Sequence, residues 1–209
     1  MSGPVVRRDD DGFTLIEVII AVALLLGVAV ALGAFAIQGL RLAADQQRAQ
    51  LAVSVASARM DEVQRLTGSN AQLATLVSGR RPAAVAAAFG ASASVTGVST
   101  MYPASTSSGA TAVIPITQTV RRSGTDFRST VLIGTCYQPI AGGECTKITG
   151  QTTDPEMASP PAPTPKTLSR MIRVIVIVDY TGSCGGSDTC TFTTSALFDT
   201  KGDVPWIAY

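Results

Sequence analysis

Histidine is absent from all 209 residues. Its absence excludes Ser-His-Asp and Cys-His catalysis and every His-ligated metal centre. Aromatic side chains make up only 5% of the chain, little for a large packed core. Charge is scarce too: 15% of residues, with 16 basic against 15 acidic side chains and a formal net charge of +1. A general nucleic-acid binder needs a basic face for phosphates, and this balance argues against one. The four cysteines include no Cys-x-x-Cys spacing. The length suits one domain, or one small domain with an accessory segment.

The chain does have apolar surface, and it is unevenly placed. Mean hydropathy is +0.31, and the excess sits near the N-terminus. Val18 to Ile37 reads VIIAVALLLGVAVALGAFAI, without a charge. As a helix rising 1.5 Å per residue it is about 30 Å long, enough to cross the hydrocarbon core of a bilayer. A secretory signal peptide is the competing reading. The run is long for one, however, and no A-x-A cleavage signal follows before helical sequence resumes at Gln38.

Ahead of the run, residues 1–12 form a short polar leader containing Arg7, Arg8, Asp9, Asp10 and Asp11. Gly12-Phe13-Thr14-Leu15-Ile16-Glu17-Val18 follows. An acid inside a membrane helix costs roughly 2.5–3.5 kcal/mol at the helix centre and less near its end. Glu17 therefore calls for a partner and is a candidate functional residue.

GFTLIEV after a charged leader closely resembles the class III signal of type IV prepilins and type II secretion pseudopilins. The resemblance implies that a prepilin peptidase cuts between Gly12 and Phe13 and that Phe13 becomes the N-methylated first residue. It also implies that Glu17 pairs with the N-terminal amine of a neighbouring subunit during assembly. Asp11 stands where many members carry Lys or Arg. Arg7 and Arg8 favour a cytoplasmic N-terminus, but Arg41 and Arg48 beyond the span nearly balance them. The family resolves this as N-terminus inside and C-terminal domain outside, in the cytoplasmic membrane and then in an extracellular filament. The implied partners are prepilin peptidase, other pilin or pseudopilin subunits, the inner-membrane assembly platform and membrane lipid. No direct nucleic-acid binding is expected. The rival function is a signal-anchored extracellular binding or adhesion protein that never polymerises. Pilus, secretion pseudopilus and DNA-uptake machine are not distinguished.

Beyond the span the helix is expected to continue to about residue 66. Ala49, Val53, Ala56, Met60 and Val63 recur at helical spacing, with Arg48, Arg59, Asp61, Glu62 and Arg65 mainly off that stripe. No proline occurs between Pro4 and Pro82. Residues 67–110 are expected to be a connector, with short helices at Ala71–Val77 and Pro82–Phe89 and a Ser/Thr/Gly/Ala-rich loop from Ser92 to Ala110 that buries little. Four strands are expected in residues 111–209: Ala112–Arg122, Phe127–Tyr137, Met171–Tyr180 and Thr191–Asp199. Without crossover helices they form an antiparallel sheet. The fold class is α+β and pilin-like, a long N-terminal helix packed on one apolar sheet face. Asp154 to Lys166, DPEMASPPAPTPK, is expected as a rigid exposed loop.

Cys136 lies close to Cys145, and Cys184 to Cys190. Four cysteines allow three connectivities. Local pairing is favoured because each turn already brings its ends together, and an exported domain meets oxidising conditions. Type IV pilins often carry a disulfide in the C-terminal region, which the second pair loosely matches. No metal, cofactor or catalytic residue is expected, and the chain is expected not to be an enzyme. Asp199 and Asp203 in Asp199-Thr200-Lys201-Gly202-Asp203 echo the calcium loop of major pseudopilins. Lys201 between them and the shortage of further acids favour a plain turn.

Overall fold

The computed structural model describes residues 14–67, 73–107, 111–184 and 187–199. The chain divides into two compact units, Met1–Gln46 and Gln47–Tyr209. One helix, α1, runs from Leu15 to Thr67. Its composition is that of strong helix formers without proline, and the Thr67 hydroxyl donates to the Gln64 carbonyl at its end, 2.8 Å.

In the second unit α1 buries Ala52, Val55, Ala56, Met60 and Val63. The face is rotated from the expected stripe: Val53 is 43% exposed and Ala49 is only partly covered, while Arg59, expected off the stripe, is 6% exposed. Two short helices follow, α2 at Leu73–Leu76 and α3 at Pro82–Ala91. Proline at the first position of α3 costs no hydrogen bond, since that N–H has no helical partner anyway.

The sheet has five antiparallel strands: β1 Tyr102–Pro103, β2 Thr117–Arg122, β3 Thr125–Pro139, β4 Leu168–Cys184 and β5 Ser187–Asp199. Their order is β1-β3-β4-β5, with β2 also on β3. The long central pair runs from Phe127 opposite Tyr180 to Pro139 opposite Leu168. Arg122 pairs with Thr125, which leaves Ser123-Gly124 as a two-residue turn. Both have positive φ, 47° and 79°, the conformation of a type I′ hairpin turn.

Burial is continuous along the middle of the central strands, and successive side chains serve two faces. Phe127, Val131, Ile133, Ile172, Val174, Val176 and Val178 pack with the buried face of α1. Leu132, Cys136, Ile175 and Ile177 pack with Val85 and Phe89 of α3 and with Val98 and Met101. The sheet is therefore covered on both sides, not on the one expected. Its second cover comes largely from the connector, where Val98, Met101, Tyr102 and Ala104 are all buried. The Ser92–Ala110 segment, expected to be a loop that buries little, supplies core and the strand β1. Backbone approach makes this possible. A Cβ at Gly134 would overlap the Tyr102 carbonyl oxygen and crowd the Met101 methyl. Gly134 thus lets β1 close on β3.

Residues 112–116, expected as the start of a strand, are not strand. They are tied by backbone bonds instead: Val113 N–H to the Ser78 carbonyl at 3.1 Å, and Val131 N–H to the Ile116 carbonyl at 2.8 Å.

Candidate functional site

Leu15 opens α1, and Glu17 lies in its first turn, with its backbone N–H bonded to the Thr14 carbonyl at 3.0 Å. A carboxylate at a helix N-terminus is favoured by the unpaired N–H groups and the dipole there. From Leu15 to Leu42 the large apolar side chains are exposed, among them Leu15, Ile19, Leu25, Val30, Phe35 and Leu40. The most apolar 18-residue window has a mean hydropathy of 2.9, and none of it is buried. A water-exposed helix of that composition is not stable surface, so lipid or other apolar helices must cover it. Glu17 is the sole charge between Thr14 and Leu40. Gly12 and Phe13 lie outside the described residues.

The second unit holds two polar clusters that the sequence reading missed. Asp154, at the start of the proline-rich segment, is 4% exposed. Its carboxylate accepts hydrogen bonds from Thr135 Oγ1 at 2.6 Å, Tyr137 Oη at 2.6 Å and the Glu156 N–H at 3.0 Å. Arg170 donates to it through Nε at 3.0 Å and Nη2 at 2.6 Å. Burial alone would raise the Asp154 pKa. The hydrogen bonds from Thr135, Tyr137 and Arg170, with the charge of Arg170, outweigh it and hold the carboxyl below its ordinary range. Burial pushes the Tyr137 phenol upward, and its bond to the Asp154 anion adds to the rise. The expected exposed loop is thus anchored at its first residue. The legible signal was Asp154-Pro155, an acid against a proline.

Arg80 is 2% exposed. Its Nε and Nη1 donate to the carbonyls of Ile114 and Val131, each at 2.9 Å. Burial, and then the nearby charge of Arg59, lowers its pKa to about 10. Arg59 pairs with Glu62, and its Nη2 donates to the Pro115 carbonyl at 3.0 Å. Two guanidinium groups thereby hold the carbonyls of Ile114 and Pro115, just before the Ile116 carbonyl takes its backbone bond from Val131.

Cys136 is bonded to Cys145, and Cys184 to Cys190. The first bridge lies in the α3-side core, and Cys190 touches the α1-side core. Tyr137 and Thr146 exchange backbone bonds beside the first bridge, 2.8 and 3.0 Å. Among the described residues no group of three or more Cys, Asp or Glu could hold a metal ion. Asp199 ends β5, and Thr200 to Asp203 lie outside the described residues.

Residues 7–37 match the family described as the prokaryotic N-terminal methylation motif. No curated protein and no solved structure matches the chain. The matched segment spans the charged leader, GFTLIEV and the apolar half of α1. The chain therefore carries a type IV prepilin-like class III signal on an apolar, membrane-length helix, which marks it as a precursor of the type IV pilin and pseudopilin type.

Proposed function

We propose that this chain is a minor subunit of a type IV pilus-like filament or type II secretion pseudopilus, and that its work is assembly, not catalysis. The observation that carries the reading is the methylation motif set on an exposed apolar helix with one acid in its first turn. Prepilin peptidase cleaves after Gly12, and methylation of Phe13 follows. The new amine at Phe13 and the carboxylate at Glu17 then carry opposite charges near one end of the span. Each is costly alone in an apolar medium. Pairing the amine of one subunit with Glu17 of the next relieves both costs and fixes an axial register. The N-terminus faces the cytoplasm and the second unit faces outward. The inner-membrane assembly platform and other pilins or pseudopilins are the partners.

N-terminal mass spectrometry of protein recovered from membranes and filaments tests the reading. A methylated Phe13 start gives a mature chain of 197 residues, the 209 of the sequence less the 12 of the leader. An intact leader on assembled protein overturns it and favours the non-polymerising signal-anchored protein.

A further inference from the structure

The β4–β5 ladder shifts register near its tip. Thr181 pairs with Thr189 and Cys184 with Ser187, so residues 182 and 183 of β4 face Asp188 alone. A bulge of this kind bends the strand that carries the extra residue. Here the Cys184 Cα comes to 5.4 Å from that of Cys190, whose own ladder partner is Tyr180. On a straight strand Cys184 would stand four residues beyond Tyr180, about 13 Å along the ladder. A disulfide spans only about 4.4–6.8 Å between Cα atoms, so the bridge cannot close on a straight strand. Gly182 makes room for the bend: a Cβ there would come within 2.9 Å of Cys190 Sγ. The Thr189 N–H donates to Ser187 Oγ at 3.2 Å, a bond within β5 and not across the ladder.

A second register is open to the same residues. Continuing the Thr181–Thr189 register would set Gly182 opposite Asp188 and Ser183 opposite Ser187. The connection would then be Cys184-Gly185-Gly186, three residues in place of two. Hairpin connections of both lengths are common, and both favour glycine. The straight register also restores the pairing that a bulge disrupts. Turn chemistry thus leaves the choice open, and the bridge makes it. The two bridges differ in access. Cys136, Cys145 and Cys190 are buried, whereas Cys184 is exposed, and thiol exchange needs access to the sulfur under attack.

We propose that Cys184–Cys190 is a thiol-operated latch: opening it lets the β4–β5 tip slide by one residue into the straight register, while Cys136–Cys145 stays closed. A dithiol reductant supplies the electrons. Its thiolate attacks Cys184 Sγ, a mixed disulfide forms as the Cys184–Cys190 bond breaks, and Cys190 leaves as a thiolate that takes a proton. The reductant's second thiolate then displaces Cys184, which is protonated in turn. The bridge gains two electrons and two protons, and the dithiol becomes a cyclic disulfide. A disulfide oxidant reverses the sequence once the tip has returned to the bent register. The latch depends on the second unit alone and not on the filament reading.

Full-length protein in detergent, titrated with dithiothreitol without denaturant, tests the latch. Free thiols are capped with iodoacetamide and mapped by mass spectrometry. Capping at Cys184 and Cys190 is expected to run roughly tenfold ahead of capping at Cys136 and Cys145. Samples labelled at serine and cysteine report the register through nuclear Overhauser contacts between the strands. Ser187 should contact Cys184 in the oxidised protein and Ser183 after reduction. Cys184→Ser combined with Cys190→Ser should show the straight register without reductant, and slow hydrogen exchange of the central β3–β4 amides should persist. Capping of all four cysteines together overturns the latch. A contact between position 184 and Ser187 that persists in the double variant also overturns it, and would assign the bulge to the local sequence. Loss of the slowly exchanging amides on reduction does the same, since the bridge would then be a staple of the whole sheet.

Discussion

Asp154 is the residue whose removal should cost the second unit most. It takes five hydrogen bonds from Thr135, Tyr137, Glu156 and Arg170, and Arg170 is itself only 13% exposed. Removing one partner of a buried ion pair costs about 3–5 kcal/mol, because the other charge stays buried without compensation. Glu156 keeps a contact with Arg170 at 3.4 Å, which places Asp154→Ala near the lower end, about 3 kcal/mol. For a chain of this size that lowers Tm by about 6–12 °C. Urea unfolding of the full chain in detergent, followed by near-ultraviolet circular dichroism of the buried tyrosines, measures it. Replacing both partners, Asp154→Leu with Arg170→Met, should cost less than Asp154→Ala, since no unpaired charge remains. The pH dependence has a fixed sign. The folded carboxyl titrates below its unfolded value, so its contribution is complete above about pH 4 and is lost as pH falls through the folded value. Asp154→Asn should abolish that acid dependence. A loss under about 1 kcal/mol, the range of an exposed pair, or strictly additive single substitutions would refute the reasoning.

Glu17→Gln should insert in the membrane and be cleaved at Gly12 like wild type, yet be depleted from sheared filaments or crosslinked pseudopilus complexes; equal recovery at equal membrane level would make Glu17 an interfacial acid only. Gly134→Ala should separate β1 from β3, and hydrogen exchange should report faster exchange at the Ala104 N–H, which bonds to the Ile133 carbonyl at 3.2 Å. Opening Cys136–Cys145 or Cys184–Cys190 by Cys→Ser pairs should cost roughly 2–3 kcal/mol each from loop closure alone, read as a shift in urea midpoint. The first bridge should cost more than the second, because both of its sulfurs are buried whereas Cys184 is exposed.

What the sequence disclosed divides along physical lines. The motif and the span were legible because both are contiguous: cleavage chemistry reads a short peptide, and a bilayer reads an uninterrupted run. The central strands were legible from their Val, Ile and Phe content, and their true ends ran further because polar termini such as Thr181–Cys184 are held by ladder bonds that composition does not announce. The second covered face was also written in the chain, in the unbroken apolar run from Val174 to Val178. Buried residues at both parities mean that both faces are dry. Counting only the even positions concealed α3's role.

The polar clusters were hidden for a different reason. Asp154 lies in a segment whose prolines indicate exposure, and Arg59 lies among helix charges that ordinarily face water. Both are buried because partners 16 to 56 positions away reach them: Arg170 reaches Asp154, and the Pro115 carbonyl accepts from Arg59. No local pattern encodes such pairings. Arg59 and Arg80 hold a stretch of chain just ahead of β2, using fixed charge before the ladder begins. That use leaves the cluster short of anions. Arg59 ties Pro115 to α1, and Arg80 ties Ile114 to Val131 of β3. Removing Arg59 would therefore loosen that segment at Pro115, while Arg80 still holds Ile114.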